Sequence, residues 1–325
     1  MTAVLEQVRR ILFVRTDRIG DLLMNLPAIG VLRESFPKAW ITVLVKPSCA
    51  GLLKGHPDID EVMERDARSF RLFWKIRSIH YDVAVVSNPD KFMHALVFLC
   101  GIPVRAGYDQ KWGFLLNARL KKDESFLRLH EIHRNLKLTS LVAAKPWNGN
   151  FPLPSETPAV KAVSTLLAEI SPNDRPILAV HAGTSNPAKR WPAESFARLC
   201  DLVSNEGRYE IALIGGPEEA AVSAEVQQKT SVKLLNLTGR LRLGELAAFL
   251  SNPRVKALVS ADSGPVHIAW MSGTPVVALY AKNVPGSDPS RWGPLDSKSE
   301  VIYKPMNEIS AGEVYEKLKK VTGGL

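Results

Sequence analysis

The run Asp262-Ser263-Gly264-Pro265-Val266-His267-Ile268-Ala269 sets an acid, a hydroxyl, a glycine and a histidine between two apolar stretches, which packing alone does not require. Residues 255–259 before it read as a buried strand, 266–272 as a short helix ended by Gly273, and 275–279 as the next strand. In such a βαβ unit the helix starts at the carboxyl end of a strand, where open α/β sheets bind ligands. Backbone N–H groups around Ser263 and Gly264, with the positive end of the helix dipole, suit a phosphate. The same residues also serve as an ordinary cap, with Asp262 or Ser263 closing the helix and Gly264 relieving crowding.

Three further constellations stand where a strand gives way to a helix. Arg15-Thr16-Asp17-Arg18-Ile19-Gly20-Asp21 leads from an apolar strand into the helical pattern 22–29, with Asp21 at the turn. Asp21 is either a first-turn or capping acid, which the helix dipole favours by about 0.3–1 kcal/mol, or a general base if partial burial raises its pKa. His181-Ala182-Gly183-Thr184-Ser185-Asn186-Pro187-Ala188-Lys189-Arg190 joins small hydroxyl residues to two cations that can neutralise a leaving diphosphate. Gly215-Gly216-Pro217-Glu218-Glu219 allows close backbone approach and offers acids either to a ribose or simply to a helix start.

These loops need a scaffold of strands to hold them. Apolar runs at 10–14, 41–45, 82–86 and 103–107 are separated by helical patterns, and the alternation restarts at 176–180, 210–214, 255–259 and 275–279. Helices are expected near 194–206, 218–229 and 243–251, and a last one from Ser310 to Val321, capped by Ser310 and closed by Gly323. Continuous apolar strands of this kind imply parallel sheets covered on both faces. Residues 146–158 hold too many turn formers for a core element and read as a linker. The expected organisation is α/β, two Rossmann-like domains (1–155 and 156–325) facing a central cleft.

Composition narrows the function. The 325 residues are 46% hydrophobic, enough for two cores. Cys49, Cys100 and Cys200 are scattered in apolar settings without CxxC spacing, so neither a disulfide framework, a zinc site nor any other metal is indicated. The N-terminus is unlike a signal peptide, and no stretch reaches ~18 uninterrupted apolar residues; a cytoplasmic protein is expected. The net charge of +9 is uneven: residues 1–160 hold 23 Lys and Arg against 16 Asp and Glu. Positions 105–145 are densest in cations, so the partner of the first half is expected to be anionic, unless the excess is only a solvated surface. Nucleic acid is disfavoured, because no binding motif or stacking platform accompanies the charge. The absence of GxGxxG after the first strand argues against a nicotinamide cofactor, and that of GxxxxGK[ST] against a nucleoside-triphosphate hydrolase.

Taken together, the segment from Arg15 to Pro27 with its Gly20-Asp21, the Lys189-Arg190-Trp191-Pro192 loop, the Gly215-Gly216-Pro217-Glu218 turn, Leu237-Thr238-Gly239, and Asp262-Ser263-Gly264-Pro265-Val266-His267 followed by Gly273-Thr274-Pro275 resemble glycosyltransferase family 9, the ADP-heptose:lipopolysaccharide heptosyltransferases. The resemblance spans nearly the whole chain in order and spacing. It implies a GT-B fold, an acceptor-binding N-terminal domain and a nucleotide-sugar-binding C-terminal domain. By the same resemblance Asp21 matches the catalytic base, Lys189 a diphosphate-contacting lysine and Glu218 a nucleoside-contacting acid. Asp262 matches a residue near the donor sugar, and Ser263, Gly264 and His267 a phosphate-binding turn; Ser263 replaces the family's usual Thr and keeps its hydroxyl. Thr184 and Arg190 are expected to join the donor site, and Arg15, Arg18, Lys121 and Lys122 to meet the acceptor.

The implied reaction is an inverting, metal-independent displacement that needs no cofactor. Its implied partners are a nucleotide-sugar donor, ADP-heptose, and an anionic lipopolysaccharide-core acceptor, met in peripheral contact at the inner face of the membrane. Positions 105–145 match no particular member, which leaves the acceptor open. A non-hydrolysing nucleotide-sugar epimerase and a non-catalytic nucleotide- or glycan-binding protein share the architecture and are the rival readings. An epimerase would need no acceptor, and a pure binder has no use for a base.

Overall fold

The computed structural model describes residues 7–65, 69–151 and 158–324. The N-terminal residues 1–6, read as unlike a signal peptide, and the expected domain boundary at 155/156 lie outside the described residues. The chain divides into two compact units, Met1–Pro154 and Ser155–Leu325.

The first unit is a six-stranded sheet of β1 (Arg10–Val14), β2 (Trp40–Val45), β3 (Glu61–Glu64), β4 (Val83–Val86), β5 (Val104–Tyr108) and β6 (Ala118–Leu120), in the order β3-β2-β1-β4-β5-β6. Every pair is parallel. The second unit repeats the plan with β7 (Ile177–His181), β8 (Glu210–Leu213), β9 (Leu235–Asn236), β10 (Val255–Ala261), β11 (Val276–Ala281) and β12 (Glu300–Lys304), in the order β12-β11-β10-β7-β8-β9. It too is parallel throughout. Counted from its own first strand, each sheet has the Rossmann order 3-2-1-4-5-6, whose direction reverses between the first and fourth strands. That reversal opens a crevice at the carboxyl ends of β1 and β4, and again at β7 and β10. The loops singled out from the sequence, at Arg15–Asp21, His181–Arg190 and Asp262–Gly264, start at three of those four strand ends.

The expected central strands form as read, because continuous apolar runs suit strands buried on both faces. The edges β3, β6, β9 and β12 carry exposed or half-buried polar residues and show no such run. Two helical readings change. The pattern after Asp21 is two helices, Ile19–Leu23 and Leu26–Ser35. Pro27 would clash with the turn before it in a continuous helix, so the chain restarts and Pro27 falls in the first turn of the second helix. Likewise a 3₁₀ turn, Pro217–Glu219, precedes the helix Ala220–Lys229. The closing helix Ala311–Val321 is capped as expected, with Ser310 Oγ accepting from the Glu313 N–H.

Candidate functional site

Asp21 lies in the first turn of a five-residue helix, and the N-cap is Arg18, which makes no side-chain capping bond. Asp21 is therefore not the cap, and its carboxylate is instead engaged by Arg15. The Arg15 guanidinium is buried; it donates to Asp21 Oδ1 at 2.6 Å, to Asp17 Oδ1 at 2.7 Å, and to the carbonyl and hydroxyl of Ser87 at 2.8 and 3.1 Å. Ser87 follows β4, so the two strand ends at the reversal point are tied through one guanidinium. Beneath it, Ser87 Oγ donates to Asn25 Oδ1, Asn25 Nδ2 donates to the Asp21 carbonyl at 2.7 Å, and Asn135 Nδ2 donates to the Met24 carbonyl at 3.0 Å.

Burial pushes the Asp21 carboxyl up to about 6, against the pull of Arg15; the nearby charges of Asp17 and Glu131 push the same way. At pH 7 such a group is mostly ionised, yet it is far more basic than an exposed aspartate, which is what general-base work needs. Glu131 was not among the residues chosen from the sequence. It is buried one turn from Arg134, whose Nη1 is 3.6 Å from its carboxylate.

The basic residues expected to face an acceptor divide. Arg18 is exposed beside Asp21, and Lys121 and Lys122 are exposed in the connection after β6, with the Lys122 ammonium 4.5 Å from the Tyr108 ring centroid. Arg15 is buried and directs its donors to Asp17, Ser87 and Asp21, so in this structure it holds the Asp21 carboxylate. Within the dense cationic stretch, Arg105 and Arg134 similarly bond main-chain carbonyls, Arg105 those of Ile102 and Leu115, Arg134 those of Leu127 and Leu129.

In the second unit Ser263 is the N-cap of the helix Gly264–Met271, but its hydroxyl makes no capping bond. Ser263 Oγ lies 2.9 Å from Ser260 Oγ and 3.2 Å from His181 Nδ1. The opposite ring nitrogen, His181 Nε2, is 3.0 Å from Glu219 Oε2, which also accepts the Gly216 N–H at 2.9 Å. Burial pushes the Glu219 carboxyl up, but the His181 and Gly216 bonds and the Arg190 charge carry it below its ordinary value. An ionised carboxylate only accepts, so Nε2 carries a proton toward Glu219. The carboxylate fits only because residue 183 is glycine: a Cβ there would lie 1.9 Å from Glu219 Oε1. The sequence did not single out His181 or Ser260, whose one signal was a polar side chain at or near the end of an apolar strand, and it offered Glu219 only as one of two acids for a ribose or a helix start.

Lys189 Nζ is paired with Asp262 Oδ2 at 2.6 Å, and both side chains are largely buried. Thr184, Arg190 and Glu218 line one pocket of about 230 Å³ together with Ser185, Glu219, Ala221 and Val222. That volume is below the ~300–1,000 Å³ of a site for a whole drug-sized ligand and suits part of one. Gly264 is partly exposed at the helix start, whereas His267 is buried one turn further on.

A profile of the family described as glycosyltransferase family 9 (heptosyltransferase) matches residues 69–321. Lipopolysaccharide heptosyltransferase 2 of Salmonella typhimurium is 28% identical over 316 residues, covering 90% of this chain and 87% of that protein. Among solved structures, a glycosyl transferase family 9 protein from Veillonella parvula superposes with a TM-score of 0.85 at 22% identity, covering 97% of each chain. The Escherichia coli ADP-heptose lipopolysaccharide heptosyltransferase II superposes with a TM-score of 0.83 at 24% identity, covering 96% of this chain and 98% of that one.

Proposed function

The chain belongs to glycosyltransferase family 9, the heptosyltransferase family, and is a glycosyltransferase with the GT-B fold; from that premise we propose that it transfers a heptose from ADP-heptose to a lipopolysaccharide core, inverting the anomeric carbon and using no metal ion. The observation that carries the reading is the Asp21 carboxylate, raised to about 6 and fixed by Arg15 at the point where the strand order of the first sheet reverses. Asp21 removes the proton of an acceptor hydroxyl while that oxygen attacks the anomeric carbon, and the nucleoside diphosphate leaves from the opposite face. Arg18, Lys121 and Lys122 draw the anionic acceptor to this first unit.

The second unit holds the donor. Glu218, Thr184 and Arg190 take the nucleoside end in the pocket they line. Lys189, Arg190 and the backbone N–H groups at Ser263–Gly264 carry the charge that builds on the diphosphate. Lys189 must then exchange Asp262 for a phosphate oxygen, which releases Asp262 to accept from a hydroxyl of the donor sugar. His267 backs the same helix start. The reaction takes place on the cytoplasmic side, in peripheral contact with the membrane that holds the acceptor; among the described residues no helix is long and apolar enough to cross it.

The test uses purified chain, ADP-heptose and a core acceptor lacking the terminal heptose, with chelator present. The acceptor should gain the mass of one heptose as ADP appears, with the new linkage of opposite anomeric configuration to the donor. Conversion of the donor without an acceptor would point to an epimerase and against transfer.

A further inference from the structure

Large hydrophobic side chains are distributed unevenly over this protein. Of the ten that are exposed among the described residues, eight lie in the first unit, and six of those belong to three short segments: Phe70 and Trp74, Phe98 and Leu99, and Trp112 and Phe114, each 46–74% exposed. The segments form one layer. Leu72 and Ile76 of the helix Ser69–Ile79, Met93, Leu96 and Val97 of the helix Lys91–Leu99, and Leu116 after the turn Gly113–Leu115 all pack into one cluster with Leu12, Val14, Ala84 and Val86 of the first sheet.

The outer sides of these elements are joined by contacts from end to end. Phe70 and Trp74, one helical turn apart, meet edge to face at 6.0 Å. Arg77 lies 5.9 Å from the Phe73 ring and donates to the Leu99 carbonyl at 3.2 Å, which ties this helix to the end of the next. Arg105 lies 5.3 Å from the Phe98 ring and donates to the Leu115 carbonyl at 2.9 Å, which brings in the turn that carries Phe114. Lys91 lies 5.9 Å from the Trp112 ring. Aromatic rings and cations therefore alternate across one face.

We propose that this face docks on an anionic phospholipid bilayer. Charge identifies the occupant: the helices Ser69–Ile79 and Lys91–Leu99 and residues 110–117 contain five Lys or Arg and no Asp or Glu. A bilayer that contains anionic lipids presents a net negative surface complementary to such a patch. Trp and Phe among Lys and Arg suit the boundary between headgroups and acyl chains, where one end of the side chain is wet and the other apolar. Exposed apolar side chains clustered on one layer, rather than scattered singly, mark an interaction site. The inference deepens the proposed function and rests on its reading of a membrane-held acceptor.

The experiment is co-sedimentation of the full chain with phosphatidylethanolamine–phosphatidylglycerol vesicles and with phosphatidylcholine vesicles. Transfer is assayed in parallel with a soluble, deacylated core acceptor. The chain should pellet with the anionic vesicles alone, less so at high salt, and Phe70→Ser/Trp74→Ser should cut the bound fraction by roughly tenfold or more without changing transfer to the soluble acceptor. Arg71→Glu should weaken binding in the same assay. Brominated lipids in the anionic vesicles should quench wild-type fluorescence, and quench it less in Trp74→Phe, which checks the site with a near-isosteric change. A wild-type chain that transfers to the soluble acceptor but ignores anionic vesicles, or a Phe70→Ser/Trp74→Ser variant that binds them normally, overturns the docking face and leaves the proposed function standing. Binding without any transfer to the soluble acceptor overturns the proposed function and leaves the face. A wild-type dimer that this double variant converts to monomers would assign the face to a second copy of the chain and overturn the proposal.

Discussion

Asp21→Asn separates a base from a structural acid, and the structure gives the change an unusual sign in stability. The carboxyl rises from 3.8 to about 6 because it ionises in a largely desolvated place. At 1.36 kcal/mol per pKa unit, keeping it ionised in the folded state costs at most ~3 kcal/mol at neutral pH. The folded state thus binds more protons than the unfolded one between pH ~4 and ~6, so wild-type stability falls as pH rises through that window and then levels. Asparagine has the same shape and no such cost. It can still accept from Arg15, which keeps Asp17 and Ser87 as partners. The expected result at pH 7 is a melting temperature equal to wild type or up to several degrees higher, with the advantage vanishing by pH 4. Turnover should fall by roughly 10²–10⁴-fold, with ADP affinity unchanged. Wild-type kcat/KM should rise with pH and level above about 6 as this group ionises. Paired measurement of kcat and thermal unfolding from pH 4 to 8 decides it: near-normal turnover, or an activity loss matched by lost stability at pH 7, would refute Asp21 as a base tuned by burial.

Other changes test the remaining parts. Lys189→Ala should weaken ADP binding and, by orphaning the largely buried Asp262 carboxylate, destabilise by about 1–3 kcal/mol; adding Asp262→Asn should restore the melting temperature but not the ADP affinity, as calorimetry would show. Gly183→Ala puts a methyl where Glu219 sits, so it should break the Glu219–His181 bond, lower ADP affinity and, by leaving the buried His181 ring without that acceptor, lower the melting temperature; unchanged titration would remove that chain of bonds from the donor site. Lys121→Glu/Lys122→Glu should raise the acceptor KM several-fold at low salt, with the effect fading as salt screens exposed charges, and should leave the donor KM alone.

The sequence made the middle of each sheet legible and the edges obscure for one physical reason. Runs such as Ile11 to Val14 or Val276 to Ala281 are buried on both faces and must be apolar, whereas Glu61–Glu64 and Glu300–Lys304 pair on one side only and keep polar residues. The loops that follow β1, β7 and β10 were legible because small and charged residues interrupt apolar runs there. Their internal wiring was not. Whether Glu218 or Glu219 faces His181 is set by the space left at Gly183, far away in the chain. The raised pKa of Asp21 comes first from its own burial, with Asp17 and Glu131 adding to it against Arg15, and nothing local announces that burial or Glu131. The charge excess of positions 105–145 overstated the exposed cations, since Arg105 and Arg134 are occupied with carbonyls inside the fold.

The central claim is heptosyl transfer to a lipopolysaccharide core with Asp21 as base. Mass spectrometry of the core from cells that lack this chain, and from the same cells given back the wild type or Asp21→Asn, tests it most directly. The core should be one heptose short in the absence of the chain, restored by the wild type and still short with Asp21→Asn. An unaltered core without the chain, or full restoration by Asp21→Asn, would contradict it.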